Sequence, residues 1–227
     1  EGYVDESVGQ GHQGFLMIAV DQASMTGKIV NCDLWHSFAQ YIKSQSSYLY
    51  VLEQSEGSRC TKLSRYDSTT LDEKTIELLP YGGSRTSVWA LNCYASVDGM
   101  AVSADSVLCI GTTIDQSQYD NVTSDTPHNI YLTITPVSDF SKEATSVKYL
   151  TNYTGNGKSF MGVKITPITE NRFMISWEEY ENSDDGEDSS SGNYASADDS
   201  LSSSTLHYLF IDGKGNVLSK EYTTAAP

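Results

Sequence analysis

Any chemistry in this sequence has to start from four histidines, four cysteines and thirty carboxylates. Nucleophilic catalysis needs a Ser or Cys activated by a His, with a carboxylate to orient the ring. The histidines are His12, His36, His128 and His207, and no G-x-S-x-G elbow accompanies any of them. His207 falls inside an alternating strand pattern, where a packing role is the expectation. Glycosidic cleavage needs two carboxylates across a sugar. Glu178 and Glu179 follow Trp177 at a strand end and Asp98 lies in another strand, but nothing in the spacing sets two of them across a substrate. With so many acidic residues, neighbouring carboxylates arise from composition alone, so no catalytic residue is assigned.

Metal chemistry has little more to work with. Cys32, Cys60, Cys93 and Cys109 show no C-x-x-C spacing and no paired His, which argues against zinc. Cys93 and Cys109 fall on segments that read as neighbouring strands, so a bridge and a pair of buried thiols both fit. The run NSDDGED at 182–188 is dense in oxygen donors and is the one weak candidate for calcium. It departs from the EF-hand loop, because Gly192 stands where the bidentate Glu belongs. A solvated acidic loop is the plainer reading, and no cofactor is expected.

The balance of charge narrows the partners. Fourteen basic residues against thirty acidic ones give a net charge of −16 over 227 residues. Such a surface repels phosphate backbones and anionic headgroups, so no nucleic acid and no membrane surface is expected as a partner. No apolar run approaches the roughly 20 residues of a spanning helix. Abundant Tyr, Ser and Thr, without long Leu/Ala/Glu/Lys tracts, favours strands over helices.

The elements that would position any site come from a repeat. Four segments share a strand, an Asp, a short polar turn and a second strand: 15–30, 61–79, 130–150 and 206–222. Their marker aspartates are Asp21, Asp67, Asp139 and Asp212. Alternation places His207, Leu209 and Ile211 on one face of the last hairpin and Leu206, Tyr208 and Phe210 on the other. In DGKGNV the two glycines are expected to supply the positive-φ positions of a tight turn. Between these hairpins lies a second type at 36–55, 87–113 and 159–180, each with a polar turn followed by an apolar strand such as YLYVL, VLCIG or FMISW.

Alternating the two hairpin types gives four antiparallel strands per unit. The Asp-marked hairpins, as in FIDGKGNVLSKEY, and the paired hairpins, as in ENRFMISWEEY, resemble the β-propeller repeats of secreted and cell-surface bacterial proteins. The chain carries no WD dipeptide, kelch double-glycine signature or sialidase Asp box. The resemblance implies one all-β propeller domain or segment over residues 1–227. It comprises an outer hairpin at 15–30, partly completed by GYVDESV, and blades at about 31–79, 82–150 and 155–222. About three and a half blades are too few to close a ring, so neighbouring blades of a longer chain or self-association is expected to complete it. Two long polar stretches, 115–129 and 181–205, fall at equivalent blade positions and should emerge on one face.

In that arrangement the entries to the innermost strands face a central channel. They read Trp35-His36-Ser37-Phe38, Ser84-Arg85-Thr86-Ser87 and Gly157-Lys158-Ser159-Phe160. His36, Arg85 and Lys158 are therefore the candidate ligand-binding residues, forming a funnel suited to an anionic group. The expected function is a non-catalytic, extracellular or cell-surface binding module for a glycan or protein ligand. Part of a carbohydrate-active hydrolase or lyase, and a structural platform that spaces other domains, are the alternatives.

Overall fold

The computed structural model describes residues 3–5, 12–33, 37–55, 60–80, 95–115, 126–154, 158–181 and 204–225. Every regular element among them is a strand. The chain divides into two compact units, Glu1–Pro80 and Tyr81–Pro227.

The first unit holds two antiparallel sheets. One has three strands in the order β1 (Tyr3–Asp5), β2 (His12–Asp21) and β3 (Thr26–Asp33). The other has four, β4 (Ser37–Gln45), β5 (Tyr48–Ser55), β6 (Cys60–Asp67) and β7 (Glu73–Pro80). Tyr50, Leu52, Leu63, Tyr66 and Leu78 of this sheet are buried, on both of its faces. A polar cluster ties the two sheets together. Asn31 on β3 donates to the Tyr66 hydroxyl at 2.7 Å, and Tyr66 donates to Glu73 Oε1 at 2.8 Å.

The second unit repeats the four-stranded plan twice. One sheet runs β8 (Gly99–Val102), β9 (Ser106–Thr113), β10 (Asn129–Pro136) and β11 (Ser146–Tyr149). The other runs β12 (Lys158–Thr169), β13 (Arg172–Glu181), β14 (Thr205–Asp212) and β15 (Tyr222–Ala225). Within each sheet every strand pairs with its neighbour in sequence, across the long 114–128 and 182–204 connections as well as the short ones. The period-2 pattern aims Leu108, Ile110, Leu132 and Ile134 of one sheet at Phe173, Ile175, Trp177, Leu209 and Ile211 of the other, in one apolar core.

Three of the four marker aspartates build their turns with the carboxylate, whereas Asp139 accepts from the Ser141 hydroxyl at 2.9 Å. Asp21 Oδ1 accepts from the amides of Ala23 and Ser24, at 2.8 and 3.1 Å. Asp67 Oδ1 accepts from Thr69 and Thr70 at 2.8 and 2.9 Å, and Asp212 Oδ1 from Lys214 and Asn216 at 2.9 and 2.8 Å. Each carboxylate replaces a turn's missing backbone acceptor. The chain then passes through the left-handed region at Met25 (φ 55), Leu71 (φ 64) or Gly215 (φ 73). The repeat's signature is therefore a folding device, and these aspartates are engaged in it.

Two details differ from the sequence reading. Of the two glycines in DGKGNV, only Gly215 adopts a positive φ. Gly213 answers to space instead: a Cβ there would meet Ser103 Cβ at 2.7 Å and would overlap the Asn171 side chain. The return strand of that hairpin also starts late, at Tyr222, after a single bridge between Ile211 and Val217.

Candidate functional site

The cation funnel falls largely outside the structural description. His36 and Arg85 lie outside the described residues, as do Cys93 and the acidic run 182–188. Lys158 opens β12, where its backbone pairs with Glu181. Cys109 is a free, fully buried thiol whose pKa burial pushes up to about 12. No group of three or more metal-ligating side chains assembles among the described residues.

Asp98, one of the carboxylates of the hydrolase alternative, precedes β8, its amide bonded to Ile110 O at 2.9 Å. The Ser96 hydroxyl donates to its carboxylate in a short hydrogen bond. Burial raises the Asp98 pKa, and the Ser96 bond offsets that only in part. Glu178 points away from Glu179, as alternation along β13 requires.

Glu179 instead belongs to the densest set of chemically capable groups in the second unit. Register opposes Trp177 to His207 and Glu179 to Thr205, the last pair before the chain runs through 182–203. Trp177, Glu179 and His207 therefore share one face at the end of their sheet where β13 closes and β14 opens. His207 Nδ1–H donates to Glu221 Oε1 at 2.5 Å, while its Nε2 lies 3.8 Å from Glu179 Oε2. The imidazole stacks on the Trp177 indole, centroids 5.3 Å apart and planes 17° apart.

The fourth member arrives from the preceding sheet. Buried Asn129 at the start of β10 accepts from the Tyr153 amide at 2.7 Å and from Thr151 Oγ1 at 3.0 Å. That clamp fixes the segment after β11, and Tyr153 donates its hydroxyl to Glu179 Oε2 at 2.5 Å. Its ring stacks on Phe160 at 5.2 Å. Burial raises the Tyr153 pKa and the Glu179 carboxylate adds to the rise, while the Trp177 indole N–H acts against it. That N–H makes no well-formed hydrogen bond, and His207 Nε2 is likewise buried without a hydrogen bond.

The result is a chain of polar groups, Tyr153–Glu179–His207–Glu221, set between two aromatic stacks. Its accessible end is Glu221, 44% exposed, whereas the Glu179 and His207 side chains are 12% and 10% exposed. Two carboxylates in one small site favour hydroxyl donors over anions. The sequence singled out Trp177, Glu179 and His207 separately. Tyr153 and Glu221 carried no signal, because each joins the site only through the packing of its segment.

The fold defines the class of protein: an all-β chain of successive antiparallel sheets, three of them four-stranded. No family model matches the chain, and no curated protein sequence is similar to it. Among solved structures it is similar to the phage phi92 endosialidase, with a TM-score of 0.52 and 11% identity. That alignment covers 100% of this chain and 35% of the endosialidase chain, so this sequence spans about a third of that protein's length. At this identity the likeness is one of fold.

Proposed function

We propose that the chain is a run of β-propeller blades forming a non-catalytic, extracellular or cell-surface binding module, whose ligand is a neutral glycan. The observation that carries this reading is the Tyr153–Glu179–His207–Glu221 chain between the Tyr153–Phe160 and Trp177–His207 stacks. Carboxylates accept from sugar hydroxyls, and aromatic rings beside them supply apolar faces. The long 181–205 connection leaves from the same end of the sheet, where binding loops are common in repeat folds.

Calorimetric titration against a panel of neutral and acidic oligosaccharides tests the reading. Binding of at least one neutral oligosaccharide, weakened about tenfold by Glu221→Ala, supports it. Absence of neutral-glycan binding, or binding indifferent to Glu221→Ala and Tyr153→Phe alike, overturns it.

One observation favours a second reading, part of a carbohydrate-active hydrolase or lyase. A carboxyl raised by burial, as Asp98 is, suits a general acid. Release of reducing ends from a polysaccharide, lost in Asp98→Asn, would decide for it.

A further inference from the structure

The sheets in this chain have two unlike faces, and the turn aspartate distinguishes them. On the third strand of the last sheet, Ile211, Leu209 and His207 lie one, three and five residues before Asp212 and form the near face. Phe210 and Tyr208 form the far face. Within the second unit, the near face of the last sheet is covered by Leu108, Ile110, Leu132 and Ile134 of the sheet before it. Within the first unit, Tyr66, one residue before Asp67, is covered by Asn31 of the sheet before it. A near face is thus covered by the preceding sheet in each unit.

Among the described residues, the near face of the first sheet and the far face of the last have no such cover. On β2, Val20, Ile18 and Leu16 stand one, three and five residues before Asp21, and Ile29 opposes Ile18 across β3. They are 56%, 50%, 37% and 62% exposed, although aliphatic residues at the matching positions of β14 are buried. At the other end, the far face of the last sheet presents Tyr208, Phe210 and Tyr222. Tyr222 stacks on Tyr208 at 5.2 Å and is 38% exposed. Arg172 lies over Phe210 at 4.5 Å and Lys220 over Tyr222 at 5.7 Å. The chain therefore leaves uncovered an aliphatic near face and an aromatic far face, and a far face of one sheet against a near face of the next is how the sheets of the second unit pack.

We propose that a second copy of this chain docks head to tail, with the Tyr208–Phe210–Tyr222 face of one copy on the Leu16–Ile18–Val20–Ile29 face of the other. The contact is heterologous: the two patches differ and each copy offers both. Burial of the aliphatic stripe drives it, continuing the sheet-on-sheet packing already present in the second unit. The docking face of β14 is the one opposite His207.

Sedimentation equilibrium of the whole chain, with Ile18→Lys and Tyr222→Lys as separate variants, tests the proposal. The parent chain should associate at micromolar concentration, and each lysine should weaken association about thirtyfold or more. Mixing the two variants should restore a complex of one copy of each, because each retains the face the other lacks. Val20→Lys and Phe210→Lys serve as replacements should either first variant lose its circular dichroism spectrum. A parent chain that stays monomeric at high micromolar concentration overturns the proposal. So does a mixture of folded variants that fails to pair, since that outcome belongs to a symmetric contact or to none.

Discussion

His207 Nδ1 lies 2.5 Å from Glu221 Oε1, joining β14 to the residue that leads into the edge strand β15. β15 has only four residues, all exposed, and pairs with β14 alone. Its register is held from both faces, by Glu221 on His207 and by Tyr222 on Tyr208. Glu221→Ala should speed amide hydrogen exchange across 222–225 several-fold while leaving β13 protected. Glu221→Gln keeps an acceptor and should restore most of the protection. Equal exchange in all three proteins would show that β15 owes nothing to this bond.

The turn aspartates and Asp98 should respond to pH in opposite senses. Amide donors from Ser24 and Ala23 hold the Asp21 pKa down, and those from Thr70 and Thr69 do the same for Asp67. At Asp212 desolvation is the largest single influence and raises the value, but bonds from Asn216 and Lys214 together bring it below the usual range. A depressed folded pKa contributes stability above the unfolded value, roughly 3.9, that is lost as pH falls through the folded one. Replacing all three by Asn should flatten the acid limb of a melting-temperature profile. An unchanged limb would mean that these carboxylates do not drive acid unfolding.

Asp98 has the reverse sign. Burial raises its pKa, so the native state holds the proton more tightly than the unfolded chain. Stability from this group is greatest in acid and declines as pH rises from the unfolded value to the folded one. Asp98→Asn keeps an acceptor for Ser96 and removes the buried charge. The variant should melt higher than the parent at pH 7 and lose that advantage in acid. A lower melting temperature at pH 7 would show that the ionised carboxylate is favoured at this position.

Gly111 on β9 is held by space rather than by backbone conformation. A Cβ there would fall inside the Ser96 carbonyl group and 2.8 Å from the Tyr131 hydroxyl, which itself donates to that carbonyl at 2.7 Å. Backbone cannot yield as a side chain can, so Gly111→Ala should cost about 3 kcal/mol in denaturant unfolding. Gly162, whose Cβ position is open, is a poor control because its φ of 63° would itself strain an alanine. Gly27→Ala, meeting only an Ile18 methyl at 3.2 Å, is the better one and should cost far less.

The sequence alone determined the strands and their turns, because both follow from local physics. Alternation has a period of two wherever one face is buried, which is why Leu209 and Ile211 fall on one side whatever packs against them. A carboxylate two to four residues from unpaired amides closes a turn without help from the rest of the chain, so Asp21, Asp67 and Asp212 were legible as punctuation. The role of Gly213 is not local: its constraint comes from Ser103 and Asn171, far away in sequence. The candidate site stayed hidden for the same reason. Tyr153, Glu179, His207 and Glu221 come from three strands' ends and a linker, and only the Asn129 clamp and the β13–β14 register bring them together. Side-chain periodicity is written residue by residue; convergence of distant segments is decided by which faces pack, and that is a property of the folded chain.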